Sequence, residues 1–324
     1  MADSAGTASE FNARAQNGFA KSSLYDQHRP TYSPTIVQYI LDQLRVTGKK
    51  HATIVDLAAG TGKFTEALAA REENFKIIAV EPHQQMREVL ESKKLKGVTV
   101  VNGMGDSMPS VGDETVDAVT VAQGFHWFAN MDSLKEIHRV LQPHGALGLV
   151  WNVEDYNAPR DHKASSEWEA KVHDLTWSVA EETGDEEPRY RHLEWKKVFD
   201  EQVKKTPLSL LIASDDQLFS LPIAEHSEPF AVSLSTQQAW ERYATLGHIA
   251  VLEGKSLEKT KKAFMDAINS PNVEKDGDGN VIIHGNAHAV WTTKIPAEGR
   301  EDLTSVPRPE HDRTEDPEDP SRYR

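Results

Sequence analysis

The chain has no cysteine in its 324 residues, which excludes disulfides, a thiol nucleophile and Cys-ligated zinc. No stretch approaches the roughly 18 apolar residues of a membrane span, and residues 1–18 lack the apolar core of a secretory signal. No membrane span is therefore expected, and the cytoplasm is the expected compartment. Positive charge is scarce: 36 Lys and Arg stand against 51 Asp and Glu, a net charge of −15. Neutralising phosphates takes clustered basic side chains, so an extended nucleic-acid or anionic-membrane surface is disfavoured.

Several catalytic signatures are missing too. Gly62-Lys63 is followed by Phe64 and not by Ser or Thr, and Leu57 stands where the first glycine of a Walker loop belongs. Gly105-Asp106-Ser107-Met108 runs into Pro109, so there is no Gly-x-Ser-x-Gly elbow. His284 and His288 have the spacing of helical zinc ligands, but Gly285 and Asn286 lie between them and the accompanying Glu is absent, so no metal site is assigned. Asp276-Gly277-Asp278-Gly279-Asn280 lacks the Gly and Glu of a calcium loop and reads as a hairpin turn.

What the chain does have is Ile54-Val55-Asp56-Leu57-Ala58-Ala59-Gly60-Thr61-Gly62-Lys63-Phe64. An apolar run suited to a doubly buried strand breaks into small residues, and an amphipathic helix restarts at Phe64. Small residues permit the sharp bend and let a ligand approach backbone N–H groups at the helix's positive end. A second strand, Phe75 to Val80, ends in Glu81, at about the 20-residue spacing where nucleotide-binding βαβ units carry a ribose-binding carboxylate. A dinucleotide fingerprint half-matches: Gly60 and Gly62 fit, but Thr65 occupies the third glycine position.

Further strands are read at Gly97–Val101, Thr115–Val121 and Ala146–Trp151, with helices at Pro34–Leu44, His83–Lys94 and Asp132–Leu141, the last capped by Asp132. Strands alternating with helices specify an α/β, doubly wound parallel sheet. Ala164, Trp168, Val172, Leu175 and Val179 mark one helical face, and Leu193–Val203 reads as helical again. Together these form a helical cap over the carboxyl edge of the sheet. Its Trp168, Trp177 and Trp195 line an apolar pocket or simply belong to the core. Later strands are read at Leu218–Leu221, Phe230–Leu234 and Ala289–Ile295, and later helices at Gln237–Leu246 and Leu257–Ile268.

Val55-Asp56-Leu57-Ala58-Ala59-Gly60-Thr61-Gly62 resembles motif I of the class I S-adenosylmethionine-dependent methyltransferases. The ordered set that follows is similar to their type 11 branch: Val80-Glu81-Pro82 with Met86, then Gly105-Asp106, then Gln123 to Phe128, then Arg139 to Gly145. Within that branch, Tyr25 with Arg29-Pro30 and His126-Trp127 most resemble the trans-aconitate methyltransferase-like enzymes of fungi. The motifs cover residues 19–151. The resemblance implies a Rossmann-like, mostly parallel seven-stranded sheet with an antiparallel last strand, and S-adenosylmethionine as cofactor. It implies a methyltransferase domain over 19–296 (core 45–152 plus 208–296, cap insert 153–207) between a disordered 1–18 and a disordered acidic tail, 297–324.

By the same resemblance, the backbone of Ala58, Ala59, Gly60, Thr61 and Gly62 wraps the methionine portion of the cofactor. Asp56 lies near its ammonium, and Glu81, followed by Pro82, accepts both ribose hydroxyls. Met86 and Met108 flank the adenine, with Asp106, in the segment Gly105-Asp106-Ser107, accepting from its amine. Gln123 contacts the methionine, His126 faces the methyl group, and Tyr25, Arg29 and Tyr32 close over the site. This chain departs from the pattern at Ala58-Ala59-Gly60, where the family usually has Gly-Cys-Gly. Ala58 fits if its φ stays negative. Ser33 also intervenes between Tyr32 and Pro34.

The implied activity is methylation of a small molecule at a carboxylate or hydroxyl oxygen, with His126 as the base for a hydroxyl or as a packed helix-entry residue. Cyclisation, isomerisation or simple binding by the same fold is the alternative, and an NAD-dependent dehydrogenase is disfavoured by Thr65. The expected assembly is a monomer or homodimer.

Overall fold

The computed structural model describes residues 31–202 and 217–296. The expected disordered ends and residues 203–216 lie outside the described residues. The first helix, α1 (Pro34–Gln43), starts where Ser33 accepts the Ile36 N–H and Pro34 occupies the first turn, where a missing N–H costs nothing. The residue that interrupts the family pattern is thus a helix cap. Tyr32 packs edge-on against Phe64, with ring centroids 5.0 Å apart.

There follow β1 (Thr53–Leu57), α2 (Lys63–Ala69), β2 (Lys76–Val80), α3 (Gln84–Ser92), β3 (Val98–Val101) and β4 (Val116–Ala122). Next come α4 (Met131–Val140), β5 (Leu141–Glu154), α5 (Glu167–Thr183), α6 (Lys197–Asp200) and β6 (Ala224–Leu234). The described chain closes with α7 (Thr236–Tyr243), α8 (Gly247–Ala250), α9 (Gly254–Ile268) and β7 (Val281–Thr293). The sheet has seven strands in the order β3-β2-β1-β4-β5-β7-β6. β1 to β5 pair in parallel, and β7 runs antiparallel to both β5 and β6. The order reverses between β1 and β4, so the loops after these two strands open a crevice at the sheet's carboxyl edge, where α/β folds bind ligands.

One apolar layer is packed on each face of the sheet, around Leu134, Ile137 and Trp151 on one side and Ile36, Ile40 and Phe64 on the other. A third layer joins Trp168 and Val172 of α5 to Tyr243 and Phe264 of α7 and α9, over Val281 and Ile283.

Several elements differ from the sequence reading. The alternation breaks between β3 and β4, where a tight turn pairs Met104 with Ser107 and no helix forms. Asn130, not Asp132, caps α4 by accepting the Ser133 N–H, while Asp132 pairs with Lys135. Residues 193–202 form a 3-10 turn and one short helix, with Leu193 at a left-handed φ of 57° at their start. Leu218–Leu221 contributes only a bridge from Phe219 to Lys294. His284 and His288 lie on β7, where four residues span about 13 Å; their ring nitrogens turn to Glu169 and Ser227 respectively. Asp276 accepts the N–H groups of Asp278 and Asn280 and so holds the expected turn.

Candidate functional site

The bend after β1 is left-handed at Ala58 (φ 57°), Gly60 (φ 58°) and Gly62 (φ 90°). The expectation of a negative φ at Ala58 is overturned: an L residue sits in a conformation that costs it about 1 kcal/mol. A Cβ on Gly124 would approach the Ala58 methyl to 3.1 Å, so Gly124 leaves room for the side chain where the family has glycine. A Cβ on Gly105 would overlap the Phe128 ring. Ala58, Gly124, Phe128 and Gly105 thereby form one closely packed row across the strand ends.

Three N–H groups of the bend are engaged within the chain. Ala59 N donates to Val80 O at 3.1 Å, Gly62 N to Ala59 O at 2.9 Å, and Gly60 N to Glu81 Oε2 at 2.9 Å. The carboxylate at the tip of β2 therefore faces the bend, as the spacing predicts, and ties it down. Its other oxygen accepts the His83 N–H at 2.9 Å and lies 2.7 Å from His83 Nδ1. Arg87 donates to the carbonyls of Glu81 and Pro82, which holds the turn into α3. Among the described residues, a Cβ built on Gly60 meets nothing nearer than Met86 Sδ, at 3.9 Å.

Beneath the bend, Asp56 is 1% exposed. Thr65 Oγ1 donates to its Oδ2 at 2.6 Å, and Thr120 Oγ1 lies 3.3 Å from its Oδ1. No cation pairs with Asp56 among the described residues. Burial, with Glu81 as a lesser cause, pushes its carboxyl up to about 7 against the two threonine hydrogen bonds. The residue in the third-glycine position thus has a role that the fingerprint gave no sign of: its hydroxyl clamps the buried acid.

After β4 the chain turns through Gln123 (φ 62°). Its side-chain amide donates to Asn152 O at 2.7 Å, and Asn152 Nδ2 donates to Thr31 O at 3.2 Å. Thr31 is thereby brought to the ends of β4 and β5. His126 sits in the 3-10 turn Phe125–Trp127, where Trp151 Nε1 donates to its Nδ1 at 3.3 Å. Trp151, read from sequence only as a strand residue, is fully buried on β5 against Trp195 and Tyr190, with ring centroids 4.6 and 5.0 Å away.

The remaining predicted positions are more scattered. Asp106 and Ser107 are exposed on the Met104–Ser107 turn. Met108 is buried in the core, and its N–H donates to Glu136 at 2.6 Å. Tyr25 and Arg29 lie outside the described residues. Of the three cap tryptophans, Trp168 packs on Phe264 and Trp195 on Trp151, as plain core. Trp177 instead carries the guanidinium groups of Arg160 and Arg191 over its ring.

Residues 55–149 match the family model described as a methyltransferase domain. An uncharacterized methyltransferase of Schizosaccharomyces pombe is 35% identical over 210 residues, which cover 64% of this chain and 81% of that protein. The chain belongs to the type 11, class I S-adenosylmethionine-dependent methyltransferases. A second S. pombe methyltransferase-like protein is 43% identical over 44% of this chain, and an uncharacterized methyltransferase of Mycobacterium bovis is 37% identical over 40%. The chain spans about half the length of these two, 53% and 50%. Among solved structures, one named as a type II methyltransferase from Anaeromyxobacter dehalogenans aligns with TM-score 0.55 and 16% identity, over 83% of this chain and 99% of that one; this likeness concerns the fold alone.

The cofactor of this methyltransferase is S-adenosylmethionine, and two features of the site suit it. Among the described residues, the space beside Gly60 accepts a group lying against backbone, and Asp56 is a buried carboxyl without a counter-charge. No helix among the described residues is long and apolar enough to cross a membrane.

Proposed function

We propose that this methyltransferase acts on a small molecule and transfers the methyl group to a carboxylate oxygen. The observation that carries this reading is the contact between Trp151 and His126. An indole N–H only donates, so the 3.3 Å contact makes Nδ1 of His126 the acceptor and leaves the imidazole proton on Nε2. In that tautomer Nδ1 is occupied and Nε2 carries the proton, so the ring has no basic nitrogen with which to take a proton from an acceptor, which suits an oxygen that is already anionic. A hydroxyl acceptor would need the opposite tautomer, and that would set one N–H against another.

Bound S-adenosylmethionine supplies an electrophilic methyl on a sulfonium. The chain's own contribution is then binding, alignment and exclusion of water, since a carboxylate needs no base to become a nucleophile. In this reading Glu81 and the Ala58–Gly62 backbone hold the ribose and methionine portions, and Asp56 answers the ammonium. Met86 flanks the adenine with Asp106, Met108 packs in the core behind that turn, and Gln123 and His126 bound the reacting end.

The test is incubation with methyl-labelled cofactor and a panel of carboxylic acids and phenols, alongside calorimetry with S-adenosylhomocysteine. Label should enter base-labile esters of the acids. Transfer to phenols alone would overturn the carboxylate assignment.

A further inference from the structure

Near the end of α5 the chain buries more positive charge than it neutralises. Arg191 is 3% exposed, and only its Nη1 has a hydrogen-bond acceptor, Asn157 Oδ1 at 3.0 Å. Its Nε and Nη2 are buried without one. The nearest carboxylate, Asp185, lies 3.8 Å from Nη2 and is already taken by two donors of Arg189, at 3.2 and 3.0 Å. His248, 1% exposed on α8, has neither ring nitrogen hydrogen-bonded. Two guanidinium groups against one carboxylate leave one positive charge.

The electrostatics report the same deficit. Burial, and then Arg189, bring Arg191 down to about 10. Burial, and then Arg191, Arg189 and His192, bring His248 down to about 2. Buried donors without acceptors are rare in native proteins and call for a ligand or an ordered water. The place is also connected to the reacting end: the Arg189 guanidinium lies 5.1 Å from the ring of Trp127, the residue after His126, while Trp177 covers Arg191 at 5.1 Å.

We propose that Arg191, with Arg189 and His248, forms a subsite beneath the cap for a carboxylate of the substrate that does not itself receive the methyl group. The planar fork of Arg191 matches a carboxylate, and the single surplus charge matches a monoanion better than a phosphate dianion. An oxygen paired with guanidinium is a poor nucleophile, so this group anchors the substrate while another oxygen reacts. The inference rests on the small-molecule reading above and names the feature that selects the substrate.

The experiment uses the full chain with acetate and inorganic phosphate as probes, against chloride at equal ionic strength. Thermal shift and NMR of the His248 imidazole are followed, with S-adenosylhomocysteine calorimetry as a separate arm. At neutral pH acetate should stabilise the wild type and shift the ring resonances of His248. Arg191→Met should lose at least tenfold in acetate affinity, as expected for charge-assisted hydrogen bonds, while retaining S-adenosylhomocysteine binding. If Arg191→Met loses S-adenosylhomocysteine binding, His248→Asn carries the same test, with weakened acetate binding expected. Preference for phosphate, a His248 signal that ignores acetate, or undiminished acetate binding by a folded variant would overturn the proposal. Loss of S-adenosylhomocysteine binding by the wild type would instead count against the cofactor reading and leave the acetate arm standing.

Discussion

Asp56 makes folding of this methyltransferase depend on pH in a direction opposite to that of most carboxylates. Its folded pKa, about 7, stands above the ordinary 3.8, so between these values the unfolded chain has released the proton while the folded chain still holds it. The unfolded state binds fewer protons in that window, and stability falls as pH rises through it. Worked from the two values, about 2.5 kcal/mol is lost between about pH 5 and about pH 8. Asp56→Asn preserves the shape and can still accept from Thr65, so the perturbation removes the titration with little change in packing. The assay is denaturant unfolding of both proteins across this range, because the difference between them cancels every other titrating group. The variant should gain on the wild type as pH rises. A pH-independent difference would refute the buried, unpaired state of this acid. If Asp56 also answers the cofactor's ammonium, binding at about pH 6 ionises it and releases close to one proton. That release appears as a buffer-dependent calorimetric enthalpy, absent in Asp56→Asn.

Ala58→Gly relieves a left-handed alanine at the cost of extra freedom in the unfolded chain, for a net gain of about 0.5 kcal/mol, and the melting temperature should rise by a degree or two. Gly62→Ala should cost about 2–4 kcal/mol, because φ is 90° and the added methyl lands on the buried Leu90 side chain; denaturant midpoints measure it. Trp151→Phe keeps the packing on Trp195 but removes the donor to His126, so kcat/KM for a carboxylate acceptor should fall about 2- to 10-fold as the imidazole populates the other tautomer. An unchanged value would remove the tautomer argument.

Much of the parallel half of the fold could be read from residue pattern, because β1, β2 and β4 are apolar runs ended by small or acidic residues, and Glu81 sits where spacing puts it. Local rules failed where two acceptable choices competed. Asn130 and Asp132 are both good caps, and the deciding factor was the turn at which Leu134 and Ile137 meet the core. β5 runs on through Asn152 and Glu154, beyond its apolar run, because it pairs with β7 there and partners distant in sequence satisfy its polar side chains: Asn152 Nδ2 donates to Thr31 O at 3.2 Å, and Arg242 pairs with Glu154 at 2.8 Å. No local pattern carries that information.

The same limit explains what stayed hidden in the site. His126 was visible as a motif residue, but its tautomer depends on which of its nitrogens accepts a hydrogen bond from a neighbour, and that neighbour is 25 positions away. The pairing of Val121 with Leu149 and of Ala122 with Val150 in the β4–β5 ladder sets Trp151 level with the turn that carries His126. A slip of one residue would turn the indole to the other face of the sheet and free Nδ1 to carry the proton. Which nitrogen of His126 carries the proton is therefore set by strand register, and only the paired strands reveal it.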